Sequence, residues 1–203
     1  KWCIAAVPGK DWAKRVFPSL RASAAVEKLW EAILYTSRVI DKEGQPLDPI
    51  DEWRKHNESF RRRCDILNSE GLKAIHYTSS NGTDLTVGLM KEGSFLGGGE
   101  YTLSGEYFNP NIPSEEIFTT PSAGNAEGTV YSSMPLSYRG EIIDNFSLTF
   151  QNGRVVKVHA ETNESLLKEM VNMDEGAAKL GECAFVPYDS PIRNSGIMFY
   201  ETL

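Results

Sequence analysis

Apolar side chains recur at helical spacing through the first third of the chain. The spacing predicts a long helix that begins at about Ser19 and ends before Gly44. A second helix is predicted to begin at Asp48 and Pro49, an N-cap followed by a first-turn proline, and to stop near Gly71. The apolar face of the first helix comprises Ala22, Ala25, Val26, Leu29, Trp30, Ile33 and Leu34, and that of the second comprises Ile50, Trp53, Phe60, Cys64 and Leu67.

The segment before these helices predicts a strand and a short helix. Residues 2–7 are apolar almost throughout, which is typical of a buried strand. Pro8 and Gly9 mark a turn, after which Asp11 can cap a short helix.

From Lys73 onward the pattern changes to short strands and turns. Residues 73–78 and 84–90 predict a hairpin around a turn at residues 79–82. The three glycines at 97–99 match neither a dinucleotide fingerprint nor a P-loop, so we expect them to permit close backbone approach.

The clearest local signal lies in residues 142–160. Two β-rich runs flank Asn152-Gly153, which predicts a hairpin with a type I′ turn. Asn163 is then expected to cap one helix and Asp174 another, before a strand at residues 183–186.

Together these patterns predict a mixed α+β or α/β fold. We expect an α/β portion over residues 1–72, followed by a β-rich part over residues 73–203. A length of 203 residues allows one large domain or two small ones, and 40% hydrophobic with 24% charged residues is typical of a soluble globular protein.

Charge and cysteine content narrow the function classes. A net charge of −7 argues against non-specific nucleic-acid binding and against an anionic membrane surface, because both select basic patches. The three cysteines, Cys3, Cys64 and Cys183, are widely spaced among apolar residues, which predicts buried free thiols in a reducing compartment, hence the cytoplasm. Both ends of the sequence lie in apolar runs, which predicts a fragment of a longer protein.

Carboxylates are the best candidates for chemistry in this chain. The sequence has no Gly-x-Ser-x-Gly elbow, no His-Glu-x-x-His and no zinc-finger spacing, and its three histidines (His56, His76 and His159) are expected to be structural or exposed. The three arginines at residues 61–63 are expected to form a solvated helix face.

Two adjacent acids, Glu115 and Glu116, lie in a proline-rich stretch, NPNIPSEEIFTTP, at residues 109–121. In an extended segment adjacent side chains point to opposite faces, so only one of the two acids can enter a given pocket. The alternative is a one-turn helix start, with Ser114 as N-cap and both acids in the first turn.

A further acid, Glu182, follows a glycine at the start of an apolar strand. Burial of its carboxylate would be costly without a partner, and a nearby cation would remove that cost. The simpler interpretation is that Glu182 points into solvent at the start of the strand.

Residues 109–121 resemble the first metal-ligand motif of a metallo-aminopeptidase family, that of aminopeptidase T, aminopeptidase S and PepS. The run GECAFVPYDSPI at residues 181–192 resembles the second motif of the same family. Weaker matches connect the two motifs, and the similarity covers essentially the whole chain. The resemblance implies that Glu116 and Glu182 bind metal. Their separation of 66 residues (182 − 116) also fits the family.

The resemblance further implies an enzyme that removes N-terminal residues from peptides with water activated by two divalent metal ions, zinc, cobalt or manganese. It also implies a homodimer. The negative net charge, not the resemblance, is the reason to expect no nucleic-acid or membrane partner. Family members complete the metal site with residues beyond the position of Leu203. Residues 1–72 would then end an N-terminal domain, residues 73–203 would form a truncated part of the catalytic domain, and this chain alone would bind little metal and be inactive.

Two alternatives remain open from the residues themselves. A carboxylate-only hydrolase, such as a glycosidase, would use Glu116 and Glu182 as acid and base and would need no metal. A non-catalytic α/β binding or assembly module would use both glutamates only structurally.

Overall fold

A computed structural model describes residues 2–199 of the chain. Helices and strands are both abundant, which confirms the predicted mixed fold class. The helices are α1 (Lys10–Val16), α2 (Ala22–Thr36), α3 (Pro49–Ser69), α4 (Glu164–Val171) and α5 (Pro191–Ser195). The strands are β1 (Ile4–Ala5), β2 (Ala74–Thr78), β3 (Asp84–Leu89), β4 (Leu96–Gly97), β5 (Glu100–Tyr101), β6 (Tyr107–Phe108), β7 (Asn111–Ile112), β8 (Ile117–Thr119), β9 (Pro121–Tyr131), β10 (Leu136–Tyr138), β11 (Glu141–Gln151), β12 (Arg154–Thr162) and β13 (Cys183–Phe185).

The chain forms two compact units, each built from separate segments. The described part of the first unit comprises residues 2–66, 96–117 and 184–199. The second comprises residues 67–95 and 118–183. The chain passes between the units near the end of α3 and at or beside β4, β8 and β13. These compact units do not test the predicted boundary near residue 72 between an N-terminal domain and a catalytic domain, which stays a prediction.

The core of the first unit forms around α2. Ala25, Leu29 and Ile33 are buried one helical turn apart and pack with Ala13 of α1 and with Phe199. The predicted apolar face of α2 is therefore confirmed at these positions. Trp30 was predicted on the same face but is 40% exposed. The buried face of α2 is therefore narrower than the face formed by its apolar residues.

The start of α3 follows its predicted cap. Asp48 Oδ1 accepts the amide N–H of Ile50 at 3.0 Å, which satisfies a helix N-terminal donor that has no partner within the helix. Phe60 and Cys64 are buried as expected. The inclusion of Ile50 in the apolar stripe was wrong: its side chain is 83% exposed, whereas Trp53, one turn later, is half-buried.

The prediction of a buried strand at residues 2–7 was also wrong. Only β1 forms, pairing in parallel with the two-residue strand β7, and both residues of β1 are exposed. Cys3 beside it is exposed, whereas Cys64 and Cys183 are buried, so the expectation of buried thiols holds for two of the three. A partner strand of two residues gives this segment too little cover to bury its side chains.

The second unit is an antiparallel sheet with one helix. Its strands run in the order β10-β11-β9-β3-β2, and β12 also pairs with β11. The predicted hairpin of β2 and β3 is confirmed. So is that of β11 and β12, where Asn152 (φ 49°) and Gly153 (φ 73°) have the positive φ values of a type I′ turn.

Helix α4 covers part of this sheet. Its buried Leu167 packs with Ile143 of β11 and Ala160 of β12. The second helix predicted after Asp174 does not form. Asp174 Oδ1 instead accepts the amide N–H groups of Gly176 (2.7 Å) and Ala177 (2.8 Å), which closes a turn.

Across residues 2–199, the helices are too short or too polar to cross a bilayer.

Candidate functional site

The adjacent acids lie in a segment without helical structure. Residues 113–116 connect β7 to β8, so the alternative of a one-turn helix at Ser114 is excluded. Ser114, Glu115 and Glu116 are all buried. Three side chains from α2 and α3, or just after them, contact this segment within the first unit.

Arg38 binds the carboxylate of Glu115. Its Nη2 atom donates to Glu115 Oε1 at 2.6 Å, and the Glu115 side chain is 5% exposed. Burial raises the pKa of the Glu115 carboxyl, whereas the guanidinium of Arg38 opposes that shift. A buried carboxylate with a bound arginine has its charge compensated within the protein.

His56 on α3 binds the backbone before Glu115. Its Nε2 atom lies 2.9 Å from the carbonyl oxygen of Ser114, so a neutral ring with the proton on Nε2 donates this hydrogen bond. Burial, together with the charges of Arg38 and Arg63, lowers the pKa of His56 to about 4. His56 Nε2 also lies 3.7 Å from Glu115 Oε1, but a ring that is neutral at pH 7 forms no ion pair there.

Arg63 on α3 binds the backbone carbonyl group of Glu115. Its Nη1 atom donates to the carbonyl oxygen of Glu115 at 3.3 Å, and its guanidinium lies 4.8 Å from the ring centre of Phe60. The expectation of a solvated arginine face therefore holds for Arg61 and Arg62, which are exposed, and fails for Arg63. We call Arg38, His56 and Arg63 the Glu115 clamp.

Glu116 follows the clamped residue directly. It is 7% exposed and precedes β8. Gly97 allows the close approach expected of the glycine run, because a Cβ atom built there would lie 2.8 Å from the carbonyl oxygen of Glu116. The backbone around Glu116 is thus tightly packed.

Glu182 is exposed immediately before β13, in the second unit. This agrees with the simpler interpretation from the sequence, in which the side chain points into solvent. Divalent cations bind carboxylate oxygens. The side chains of Glu116 and Glu182 are therefore of a type that could contribute to a metal-ligand set. Among residues 2–199, no three or more His, Cys, Asp or Glu side chains form a group that could hold a metal ion.

The other two histidines lie on the surface of the second unit. His76 Nε2 is 2.8 Å from Asp84 Oδ1, and His159 Nδ1 is 2.9 Å from Glu164 Oε2. Both side chains are more than half exposed, as the sequence predicted.

Sequence reasoning missed the roles of Arg38 and Arg63. Arg38 follows α2 without any motif, and Arg63 lies within a run of three arginines of which two are exposed. Two adjacent acids in the sequence suggest that an arginine neutralises one of them in the folded protein. The sequence does not say which arginine lies close to them in space.

The fold and the buried glutamate segment define a mixed α/β protein in which carboxylates are the candidate functional groups. The family model described as thermophilic metalloprotease (M29) matches residues 1–203, and the chain belongs to that family. This confirms the resemblance drawn from the two glutamate motifs.

Several curated relatives match the entire chain. It is 43% identical over 202 residues to aminopeptidase AmpS of Bacillus subtilis and 43% identical over 203 residues to aminopeptidase PepS of Streptococcus thermophilus. It is 41% identical over 202 residues to aminopeptidase T of Thermus aquaticus. Each alignment covers 100% of this chain and 48% of the relative, so the chain spans about half the length of these proteins.

A solved structure supports the same relationship. Wild-type AmpT from Thermus thermophilus superposes with a TM-score of 0.89 at 37% identity. The match covers 98% of this chain and 47% of AmpT.

Proposed function

We propose that this chain is part of a metal-dependent aminopeptidase that removes N-terminal residues from peptides. The observation that carries the proposal is the match of the whole chain to the metalloprotease family and to proteins named aminopeptidases. Within the longer protein, Glu116 and Glu182 are metal ligands.

The contacts of the two adjacent acids support the choice of Glu116 over Glu115. The Glu115 carboxylate is bound by Arg38 at 2.6 Å, and an arginine at this position competes with a metal ion for the same oxygen. The charge of Glu115 is therefore compensated within the protein, and we assign Glu116, the other member of the pair, to the metal site.

The metal centre of the longer protein holds two divalent ions, zinc, cobalt or manganese. When bound, such a pair supplies Lewis-acid polarisation of the peptide carbonyl and a nucleophile at neutral pH. The part of this chain is to hold negative charge at Glu116 and Glu182, which attracts both the cations and the α-ammonium group of a peptide substrate. We further propose a cytoplasmic homodimer for the longer protein.

Residues 1–203 alone are expected to bind divalent metals weakly and to have little activity. Two glutamates far apart in sequence do not make a tight dinuclear site without further ligands. The described residues supply no third ligand in a group with others.

The test is a calorimetric titration with Zn²⁺ and Co²⁺ of the 203-residue chain and of a longer protein that extends past Leu203. We expect tight binding of about two ions only by the longer protein. Glu116→Ala and Glu182→Ala in that protein should each weaken binding by at least tenfold. Glu58→Ala and Glu169→Ala serve as controls, because both are exposed glutamates outside the two motifs.

Two results would contradict the proposal. Metal affinity unchanged in both Glu116→Ala and Glu182→Ala would favour the binding or assembly module. Full hydrolysis of an aminoacyl-nitroanilide after exhaustive chelation would favour a carboxylate-only hydrolase.

A further inference from the structure

Arg38 has a backbone conformation that its residue type does not favour. Its φ is 60°, in the left-handed region, and it directly follows Ser37, the C-cap of α2. Glycine is the usual residue at this position after a helix, because a Cβ atom makes the left-handed conformation unfavourable. The presence of an arginine here indicates that its side-chain contacts offset the unfavourable free energy of the left-handed backbone conformation.

The side chain of Arg38 is fixed at several points. In addition to the 2.6 Å bond to Glu115 Oε1, its Nη1 atom lies 3.4 Å from the carbonyl oxygen of Thr36. Its guanidinium lies 5.9 Å from the ring centre of Trp53. The side chain is 18% exposed, so solvent screens its charge only partly.

The Glu115 clamp holds both ends of one residue. His56 binds the carbonyl before Glu115, Arg63 binds the carbonyl of Glu115, and Arg38 binds its carboxylate. Consecutive Cα atoms are about 3.8 Å apart across a trans peptide, so fixing Glu115 restricts where the backbone of Glu116 can lie.

We propose that Arg38 is a positioning residue for the metal site, acting through Glu115. Its guanidinium anchors the peptide that carries Glu116. This inference rests on the proposed function, in which Glu116 binds metal.

Loss of Arg38 therefore releases the peptide that carries Glu116, besides lowering the stability of the fold. A Glu115 carboxylate that stays buried without its cation is unfavourable, so the segment is expected to shift. The Glu116 carboxylate is then expected to take a different position from that in the wild type.

The experiment uses the longer protein, with circular dichroism to establish that each variant is folded. Zn²⁺ affinity is measured by calorimetry, and the visible absorption of the Co²⁺-loaded protein reports ligand number and geometry. Arg38→Gln should weaken Zn²⁺ binding by roughly tenfold, as for other residues that orient metal ligands, and should alter the Co²⁺ spectrum. Arg54→Gln is the matched control, since Arg54 is an exposed arginine that pairs with Asp51 on the surface of α3.

A rescue variant separates positioning from simple stabilisation. The double variant Arg38→Gln with Glu115→Gln replaces the ion pair by two neutral amides that can still hydrogen-bond, and it leaves no buried carboxylate without its cation. We expect it to regain most of the Zn²⁺ affinity and the wild-type Co²⁺ spectrum.

Zn²⁺ affinity within twofold of the wild type and an unchanged Co²⁺ spectrum in Arg38→Gln would overturn the inference. The variant Glu116→Gln distinguishes this failure from that of the proposed function. If Glu116→Gln loses affinity while Arg38→Gln does not, the metal site stands and the role of Arg38 falls. If neither variant changes the affinity, Glu116 is not a ligand and both proposals fail.

Discussion

Asn57 and Asn109 exchange two side-chain hydrogen bonds. Asn57 Nδ2 donates to Asn109 Oδ1 at 3.0 Å, and Asn109 Nδ2 donates back to Asn57 Oδ1 at 2.8 Å. Asn57 is buried on α3, and Asn109 begins the stretch that carries the two adjacent acids. This amide pair anchors the start of that stretch one turn of α3 away from Phe60.

Breaking the amide pair should lower stability in a non-additive way. Asn57→Ala or Asn109→Ala leaves one amide unpaired, which is expected to reduce the free energy of unfolding by about 1–3 kcal/mol. The double variant removes both groups and should cost less than the sum of the single changes. Urea unfolding of the four proteins measures this; strict additivity would show that the two amides do not stabilise each other.

Protonation of His56 should make stability depend on pH. The folded-state pKa is about 4, below the value of about 6.5 for an unfolded chain. The unfolded state therefore binds the proton first, so this contribution to stability is complete above pH 6.5 and is lost as the pH falls from 6.5 to 4. The loss reaches at most about 3 kcal/mol.

The measurement is the free energy of unfolding at a series of pH values. His56→Gln should flatten the slope between pH 4 and 6.5, since glutamine can donate to the same carbonyl without titrating. His76→Gln is the control, because His76 is exposed, and it should keep the wild-type slope. An unchanged slope in His56→Gln would assign the pH dependence to other groups.

Two glycines with positive φ should respond differently to alanine. A Cβ atom on Gly128 (φ 118°) would lie 2.1 Å from the carbonyl oxygen of Asp84, whereas one on Gly140 (φ 82°) meets nothing within 4 Å. Gly140→Ala should cost about 1 kcal/mol from backbone strain, and Gly128→Ala about 3 kcal/mol or more from strain plus the clash. Thermal unfolding of both variants gives the comparison; equal losses would mean that strand β9 shifts to accommodate the methyl group.

The cysteines should differ in reactivity toward a thiol reagent. Cys3 is exposed, while Cys64 and Cys183 are buried, and burial raises the pKa of both of these thiols. A thiolate is the reactive form, so one thiol per folded chain should react quickly. Mass spectrometry after brief alkylation identifies it, and the variant Cys3→Ser should abolish the fast phase. Rapid modification of Cys64 would instead indicate opening of α3.

The local signals in the sequence predicted the two long helices and the two hairpins of the fold. The Asp48-Pro49 helix start and the Asn152-Gly153 turn are confirmed, because each depends on residues adjacent in the chain. The strand at residues 2–7 was wrong, since burial depends on what covers a segment and not on its own composition.

The candidate site was less predictable than the fold. Glu116 and Glu182 were found through motifs, whereas the roles of Arg38 and Arg63 arise from contacts across 77 and 52 positions of sequence. No periodicity or short motif encodes such a contact. Asp174 shows the same limit on a smaller scale, because an acid that caps a helix and one that closes a turn have the same local sequence preference.

The construction of the first unit from three segments has a consequence for synthesis on the ribosome. Trp12 meets Phe199 edge to face, with ring centres 5.8 Å apart, and Phe199 belongs to the same cluster as Ala13. The second unit includes hairpins whose partners are translated within a few residues of each other, so it can fold early. Helices α1 and α2 are made before Phe199, so their core closes only after Phe199 has been synthesised. Until then their apolar surface is exposed, which is the kind of surface that makes folding intermediates prone to aggregation.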